Sequence, residues 1–397
     1  MKIFMCSFCG FESLNGSNLR VNFLVKEFLK RGLEVEFLTP GKKDAESCER
    51  RFGVKAGYVG IDTSRFDPSK LKKYASFAWK AKGRIDKDSD IVFGQSLPSA
   101  LAVRSSKARG LKVADFVDLW SEYWVYAHSG LKGKTVYRAI RLAERHSMRG
   151  VDVIFTITKK LEEMIEKRGV PSKKIRIVRD GVDTEMFRPG KVPASFYGKY
   201  GLKKGCDYII YQGGIAAHDG VQFLVNAAPL VLRERPDVRF LIVGAGEYLA
   251  RLKEMVKQTG LEKSFIFTGW VPYGDMPDFM NVAKINAVPI PDAPATQGVL
   301  TLKLFEAMAC GTPTIISDLP GVREHMRHKF SAYLRKSENR EAYSKGLIEL
   351  LGDKALYSRL KSNGLKMIKN YDWRIIARDM TDAILEEHAI RERKRIS

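Results

Sequence analysis

The chain is poor in the residues that carry metal and redox chemistry. It has five cysteines and six histidines among 397 residues. Cys6 and Cys9 have CxxC spacing, but no second close pair completes a zinc site, so a strand-end packing pair is expected there. No window reaches the roughly 18 consecutive apolar residues of a membrane span. The opening MKIFMCSFCGF is short for a signal peptide, and the ESLNGSN after it lacks a small-residue cleavage pattern. A cytoplasmic protein is expected. No GxGxxG follows the first strand, and no acidic residue closes the second in the setting that a nicotinamide dinucleotide site requires.

What the chain does have is positive charge. The net charge is +22, and it is uneven. Residues 1–200 hold 39 Lys and Arg against 23 Asp and Glu, whereas residues 201–397 hold 29 against 23. Such a field favours anionic partners: nucleic acid, acidic lipid head groups or phosphorylated substrates. In KGKTVYRAIRLAERHSMRG, the spacing of Lys134, Arg138, Arg141, Arg145 and Arg149 places all five on one helix face. In DPSKLKKYASFAWKAKGR, lysines mix with Tyr74, Phe77 and Trp79. These helices read either as solvated faces or as docking faces for an anionic membrane, which would place the protein peripherally at the inner face of the membrane. Neither contains a recognised nucleic-acid-binding motif, so no nucleic-acid partner is expected.

A hydrophobic fraction of 45% and a charged fraction of 29% fit a soluble globular protein, and the length allows two domains. The first half alternates strand and helix: KIFMCSF, SNLRVNFLVKEFLKRG, LEVEFLTP, then DIVFGQ, LKVADFVD and VDVIFTIT. This pattern implies a parallel sheet covered by helices. RDGVDTEMFRPGKVPASFYGKYGLKKGC interrupts it and reads as a linker. A second series follows in DYIIYQGG, VRFLIVGAG, SFIFTGWV, KINAVPI and TPTIISD, and the end is helical with a basic tip. The fold class is α/β, with two similar domains expected to face each other across a cleft.

Two stretches carry chemistry. YQGGIAAHDG is a glycine turn between a strand and a helix, where many α/β proteins hold a phosphate. This turn has no Lys or Arg. TQGVLTLKLFEAMACGTPTIISD places a helix start at about Leu302, whose free amides and dipole suit a phosphate. Lys303 and Glu306 lie three apart on roughly one face of that helix, a cation and a carboxylate that suit a nucleotide.

KLFEAMACGTPTI together with RDGVDTEMFRP resembles the family 4 retaining glycosyltransferases of the GT-B fold. The likeness extends over nearly the whole chain, in order and spacing. It includes Asp180-Gly181-Val182-Asp183 with Phe187 and Pro189, Gly244-Ala245-Gly246, Phe267 to Pro272, Glu306 to Pro313, and Tyr371-Asp372-Trp373. VADFVDLWSEYW is similar to an element of the subgroup acting in polysaccharide and lipid-linked glycan assembly.

The resemblance implies two Rossmann-like domains. Residues 1–190 would take the acceptor, residues 191–370 the nucleotide-sugar donor, and a helix in 371–397 would cross back to the first domain. The reaction implied is sugar transfer with retention, usually without a metal and with no cofactor beyond a UDP- or GDP-sugar co-substrate. The acceptor implied is a glycan or a lipid-linked glycan. By position, Glu306 would take the ribose hydroxyls, and amides near Thr301 and Leu302 would face the diphosphate. Backbone around Gly269 and Val271 would hold the base, Gly244 belongs to the donor-binding set, and Gly16 belongs to the loop that admits the donor phosphate. Gly213, Gly214 and His218 fall in the donor loop.

The departures are specific. The family's donor loop carries an Arg and a Lys, where this chain has Gly214 and Asp219. The first of the family's two glutamates is Gly298 here, and its first-domain His aligns near Val117, beside Asp118. Lys303 is the expected replacement cation at the leaving group, and Asp118 the expected polar group at the acceptor or sugar. The absent side chains keep a second reading open, a nucleotide-sugar-binding or catalytically inactive relative. A sugar-nucleotide epimerase fits the motifs less well.

Overall fold

A computed structural model of the chain describes residues 1–8, 11, 16–61, 71–128 and 130–396, with only the backbone of Gly16, Ser17, Ala127 and Ile396. Cys9 lies outside the described residues. Its expected packing partner Cys6 is buried in the first strand.

The chain divides into two compact units, Met1–Asp180 with Trp373–Ser397, and Gly181–Asp372. The first unit carries strands β1 (Lys2–Ser7), β2 (Glu34–Thr39), β3 (Lys55–Tyr58), β4 (Ile91–Gln95), β5 (Leu111–Asp115), β6 (Val153–Thr156) and β7 (Ile175–Ile177). They form one sheet in the order β3-β2-β1-β4-β5-β6-β7, with every pairing parallel. The second unit carries β8 (Tyr208–Gln212), β9 (Arg239–Val243), β10 (Phe265–Gly269), β11 (Ile285–Val288), β12 (Thr314–Ile316) and β13 (Tyr333–Leu334), in the order β10-β9-β8-β11-β12-β13, again all parallel. Strands such as YIIYQ and IVFGQ are buried along their whole length, as expected for parallel strands covered by helices on both faces.

Three edge or near-edge strands were not legible as strands. KAGY, β3, is mostly exposed and lacks an apolar run, while β7 and β13 hold three and two residues. They form because a longer neighbour offers a free row of amides and carbonyls.

The units divide at 180 and 372, ten residues before and two after the boundaries expected from sequence. Packing accounts for the shift. Val182 and Phe187 are buried, Phe187 lies 5.6 Å from the ring of Tyr273, and Val182 bridges to Asp372. The stretch read as a linker is thus largely part of the second unit, and its Ala194–Lys199 is a short helix. The terminal helix Trp373–Ile396 belongs to the first unit. Trp373 stacks on Phe23, Met380 and Ile384 enter the core beside Phe28, and Arg391 pairs with Asp152 at 2.8 Å.

Among the described residues, no helix is long and apolar enough to cross a membrane.

Candidate active site

In the second unit, three parallel strands end side by side: Gly213 follows β8, Gly244 follows β9, and Gly269 ends β10. The amide of Gly213 donates to the Val243 carbonyl, and the amide of Gly244 donates to the Gly269 carbonyl, both at 2.9 Å. Gly213 and Gly244 adopt φ of 120° and 140°. A Cβ on Gly244 would lie 1.9 Å from the Gly213 carbonyl oxygen, so the two turns can approach only as bare backbone. Gly214, Ala245 and Gly246 beyond them are exposed. The carboxyl ends of parallel strands are where open α/β sheets bind ligands.

The helix Leu302–Ala309 starts beside these turns. Thr301 caps it, its hydroxyl accepting from the Lys303 amide at 3.4 Å. Gln212, at the end of β8, and Asn286, in β11, both donate to the Lys303 carbonyl, at 3.1 and 3.0 Å. Two side chains from two strands thereby fasten the first turn of the helix to the sheet.

Lys303 then reaches into the glycine turn. Its stem crosses Gly213 so closely that a Cβ there would sit 2.4 Å from Lys303 Cε. Its Nζ lies 5.4 Å from the centre of the Tyr211 ring and 3.0 Å from Asp219 Oδ1. The Tyr211 hydroxyl donates to the Gly214 carbonyl, and Asp219 Oδ2 accepts from the Ala216 amide at 3.0 Å. The turn that has no cation of its own holds one brought from another element. Burial tends to raise the Asp219 carboxyl, but Lys303, then His218, outweigh it and hold the group below its ordinary value. Burial lowers His218, with Lys303 adding to that and Asp219 opposing it.

Glu306 sits one turn further along the helix and is buried. Tyr273 donates its hydroxyl proton to Oε1 at 2.6 Å, and Gln212 reaches Oε2 at 3.5 Å. Burial pushes the carboxyl up to about 7, against the pull of these two bonds and of Lys303. Gly298 has no side chain to offer, and the loop around it packs against Gly321, where a Cβ would lie 2.8 Å from the Gly298 carbonyl carbon.

The structure therefore gathers Gly213, Gly214, His218, Gly244, Gly269, Thr301, Leu302, Lys303 and Glu306 around adjoining strand ends and one helix start. Val271 is buried two residues beyond the end of β10. Gly16 and Asp118 belong to the first unit. Gly16 opens the helix Gly16–Lys30, and Asp118 follows β5 and is partly buried. Burial pushes the Asp118 carboxyl up to about 7, the neighbouring Glu144 adds to this, and a hydrogen bond with Trp120 opposes it.

Several site residues were not read from sequence. Asp219 and Tyr273 are recognisable only through Lys303 and Glu306, which lie 84 and 33 positions away. Arg20 is another. Buried in the first unit, it donates to Asp115 at 2.9 Å and to Asp180 at 3.2 Å, so the first residue of the DGVD element serves as its partner.

The profile of the family described as Glycosyltransferase Family 4 matches residues 14–186, and that of Glycosyl transferases group 1 matches residues 196–367. The chain belongs to the family 4 glycosyltransferases. A glycosyltransferase of Methanocaldococcus jannaschii is 24% identical over 57% of this chain and 58% of its own length. A D-inositol 3-phosphate glycosyltransferase of Thermobispora bispora is 24% identical over 56% of this chain and 53% of its own. The chain thus spans little more than half the length of these two relatives. A GDP-mannose-dependent phosphatidylinositol monomannoside mannosyltransferase of Mycolicibacterium smegmatis is 24% identical over 87% and 88%. Among solved structures, the sucrose-phosphate synthase of Thermosynechococcus elongatus superposes with a TM-score of 0.79 at 18% identity, covering 98% of this chain and 99% of that one. Anabaena HepE in complex with UDP and glucose gives 0.75 at 16% identity, covering 97% and 100%. The chain therefore has the GT-B fold.

Proposed function

We propose that the chain transfers a sugar, with retention and without a metal, from a UDP- or GDP-sugar to a glycan or lipid-linked acceptor. The observation that carries this reading is the Lys303 ammonium lying in the glycine turn, 3.0 Å from Asp219. Loss of the two usual loop cations would leave the departing diphosphate without charge stabilisation, usually the largest catalytic contribution. Lys303, the amides near Thr301 and Leu302 and the helix dipole supply it instead. Glu306, oriented by Tyr273, accepts from the ribose hydroxyls, the backbone at Gly269 and Val271 receives the base, and Gly244 belongs to the same donor-binding set. In the transfer, the bond from the anomeric carbon to the diphosphate breaks and a bond to the acceptor hydroxyl forms. Asp118 is the polar group offered to the acceptor. A relative named as GDP-mannose-dependent and a neighbour crystallised with UDP support both bases as candidates.

The acceptor is met at an anionic membrane surface. On the helix Gly130–Arg149, the residues Lys134, Arg138, Arg145 and Arg149 are exposed, whereas Arg141 is partly covered and donates to the Tyr137 hydroxyl. Leu131 and Leu142 are exposed three turns apart, on the same side as the basic stripe. Trp79 on the helix Leu71–Lys82 is 68% exposed among lysines. Apolar and basic residues on one solvent face suit the headgroup boundary of an acidic bilayer.

The test is a thermal-shift screen against UDP-, GDP- and ADP-sugars, followed by transfer kinetics of Lys303→Ala. Stabilisation by one nucleotide class, with a strong fall in kcat or rise in donor KM in the variant, is expected. Wild-type donor kinetics in the variant would sink the assignment. The missing side chain at Gly298 favours a second reading, donor binding without turnover. Stabilisation by a sugar nucleotide with neither transfer nor slow hydrolysis would select it.

A further inference from the structure

We propose that Asp219 is a built-in counter-ion that limits how tightly the glycine turn holds a nucleoside diphosphate, by sharing the Lys303 ammonium with the ligand. The inference rests on the reading that this turn takes the donor's diphosphate.

The geometry leaves Asp219 little freedom. One carboxylate oxygen is held by Lys303 Nζ at 3.0 Å, and the other accepts the Ala216 amide at 3.0 Å. A Cβ on Gly214 would come within 3.3 Å of that second oxygen, so the carboxylate also lies against the backbone of the turn. Lys303 is equally confined, between the Cα of Gly213 and the Tyr211 ring. Both side chains are largely covered, with 19% and 14% of their surface exposed. The charged neighbours of Asp219 are Lys303, His218 and, through His218, Glu247. Burial favours neutral His218, so the pair at the turn sums to no net charge.

An ammonium carries three donors. One goes to Asp219 and the others are available to phosphate oxygens. An arriving diphosphate gains those bonds but meets a fixed like charge beside them. The penalty is larger for the product than for the donor. Breaking the sugar bond leaves a terminal phosphate whose second ionisation lies near pH 6, so the released nucleotide carries nearly one more negative charge. Asp219 therefore loosens the product selectively and favours its departure.

The experiment measures UDP, GDP and ADP binding by titration calorimetry, with product inhibition of transfer, for the wild type, Asp219→Asn and Lys303→Met. Asparagine keeps an acceptor for the Ala216 amide and removes the charge. Asp219→Ser, whose hydroxyl can also accept, serves as the second variant if the first does not fold. The expected result is nucleoside diphosphate binding about tenfold tighter on loss of the charge. The product inhibition constant should fall by a larger factor than the donor KM. Unchanged or weaker nucleotide binding in the Asp219 variants, with Lys303→Met still weakened, overturns the inference and leaves the phosphate reading intact. Unchanged binding in Lys303→Met, or no binding of any of the three nucleotides by the wild type, overturns both.

Discussion

Tyr273 donates its hydroxyl proton to Glu306 at 2.6 Å, and it thereby fixes the carboxylate expected to accept from a ribose. The pair joins the turn after β10 to the helix Leu302–Ala309. Removing the donor leaves Glu306, among the described residues, with the long side-chain contact to Gln212 at 3.5 Å. Tyr273→Phe is expected to weaken nucleotide binding roughly tenfold, the scale of a hydrogen bond to a charged group. Glu306 accepts best when ionised, so binding should tighten as pH rises through about 7. The Tyr273 bond lowers the carboxyl, so the Phe variant should move that midpoint upward. Nucleotide affinity titrated between pH 5.5 and 8.5 checks both effects, and a flat profile in the wild type would contradict the assigned role.

The same carboxyl affects stability in the opposite direction. In the fold Glu306 is raised from 4.5 to about 7, so between those values the folded state binds more protons than the unfolded one. Its contribution is fully present below the unfolded value and is lost as pH rises through the folded value. Glu306→Gln should therefore flatten the fall in melting temperature between pH 5 and 7.5. Scans of the two proteins in the same buffers, without nucleotide, give the comparison.

Gly213 is required by Lys303 rather than by its own turn alone. Gly213→Ala would place a methyl 2.4 Å from Lys303 Cε at a φ of 120°. The expected cost is about 1–3 kcal/mol of stability from backbone strain. Nucleotide affinity should fall as it does in Lys303→Ala, because the ammonium is pushed from the turn. Denaturant unfolding and nucleotide titration together separate strain from displacement.

In the first unit, a buried ion cluster holds the segment that follows Asp118. Glu144 accepts from the amide and hydroxyl of Ser121 at 3.0 and 2.7 Å and from Arg168 at 3.1 Å. Arg168 also donates to Glu122 at 2.7 Å. Arg168→Met leaves Glu144 buried without its cation and should cost about 3–5 kcal/mol, read from denaturant midpoints. A loss below about 1 kcal/mol would mean that the cluster is solvated.

Membrane docking has its own test. Flotation with vesicles containing acidic phospholipid should recover the wild type at low salt and lose it as salt rises. Leu131→Asp with Leu142→Asp removes the apolar half of the face and should abolish recovery. Equal recovery on neutral vesicles would count against an electrostatic surface.

The alternation of strands and helices in each unit, and the positions of the glycine strand ends and of the helix start near Leu302, followed from local signals, whereas the order of the strands in each sheet did not. Apolar runs such as DYIIYQGG and VRFLIVGAG end in glycine, and helix starts such as TLKLFEAMA carry their polar residues in the first turn, so strand ends and helix start were readable one at a time. The absence of a cation in YQGGIAAHDG was equally plain, and it directed attention to Lys303. What could not be read was the partner of each charge. Asp219 appeared as a departure from the family's lysine, and only the fold shows that its carboxylate meets the ammonium. Tyr273 lies in a turn that any polar residue could occupy, and Arg20 is one basic residue among 68.

The sequence by itself determined two α/β series, the glycine strand ends, the helix start near Leu302 and the surplus of positive charge. These depend on residue type and on spacings of two to four, which local backbone geometry converts directly into elements. The tertiary structure decided where the charge goes. It carried Lys303 across Gly213 into a turn 90 residues earlier, set Asp219 against it, and drew Val182 and Phe187 into the second unit. Those contacts join distant segments, and burial there makes an unpaired charge costly enough to select its partner.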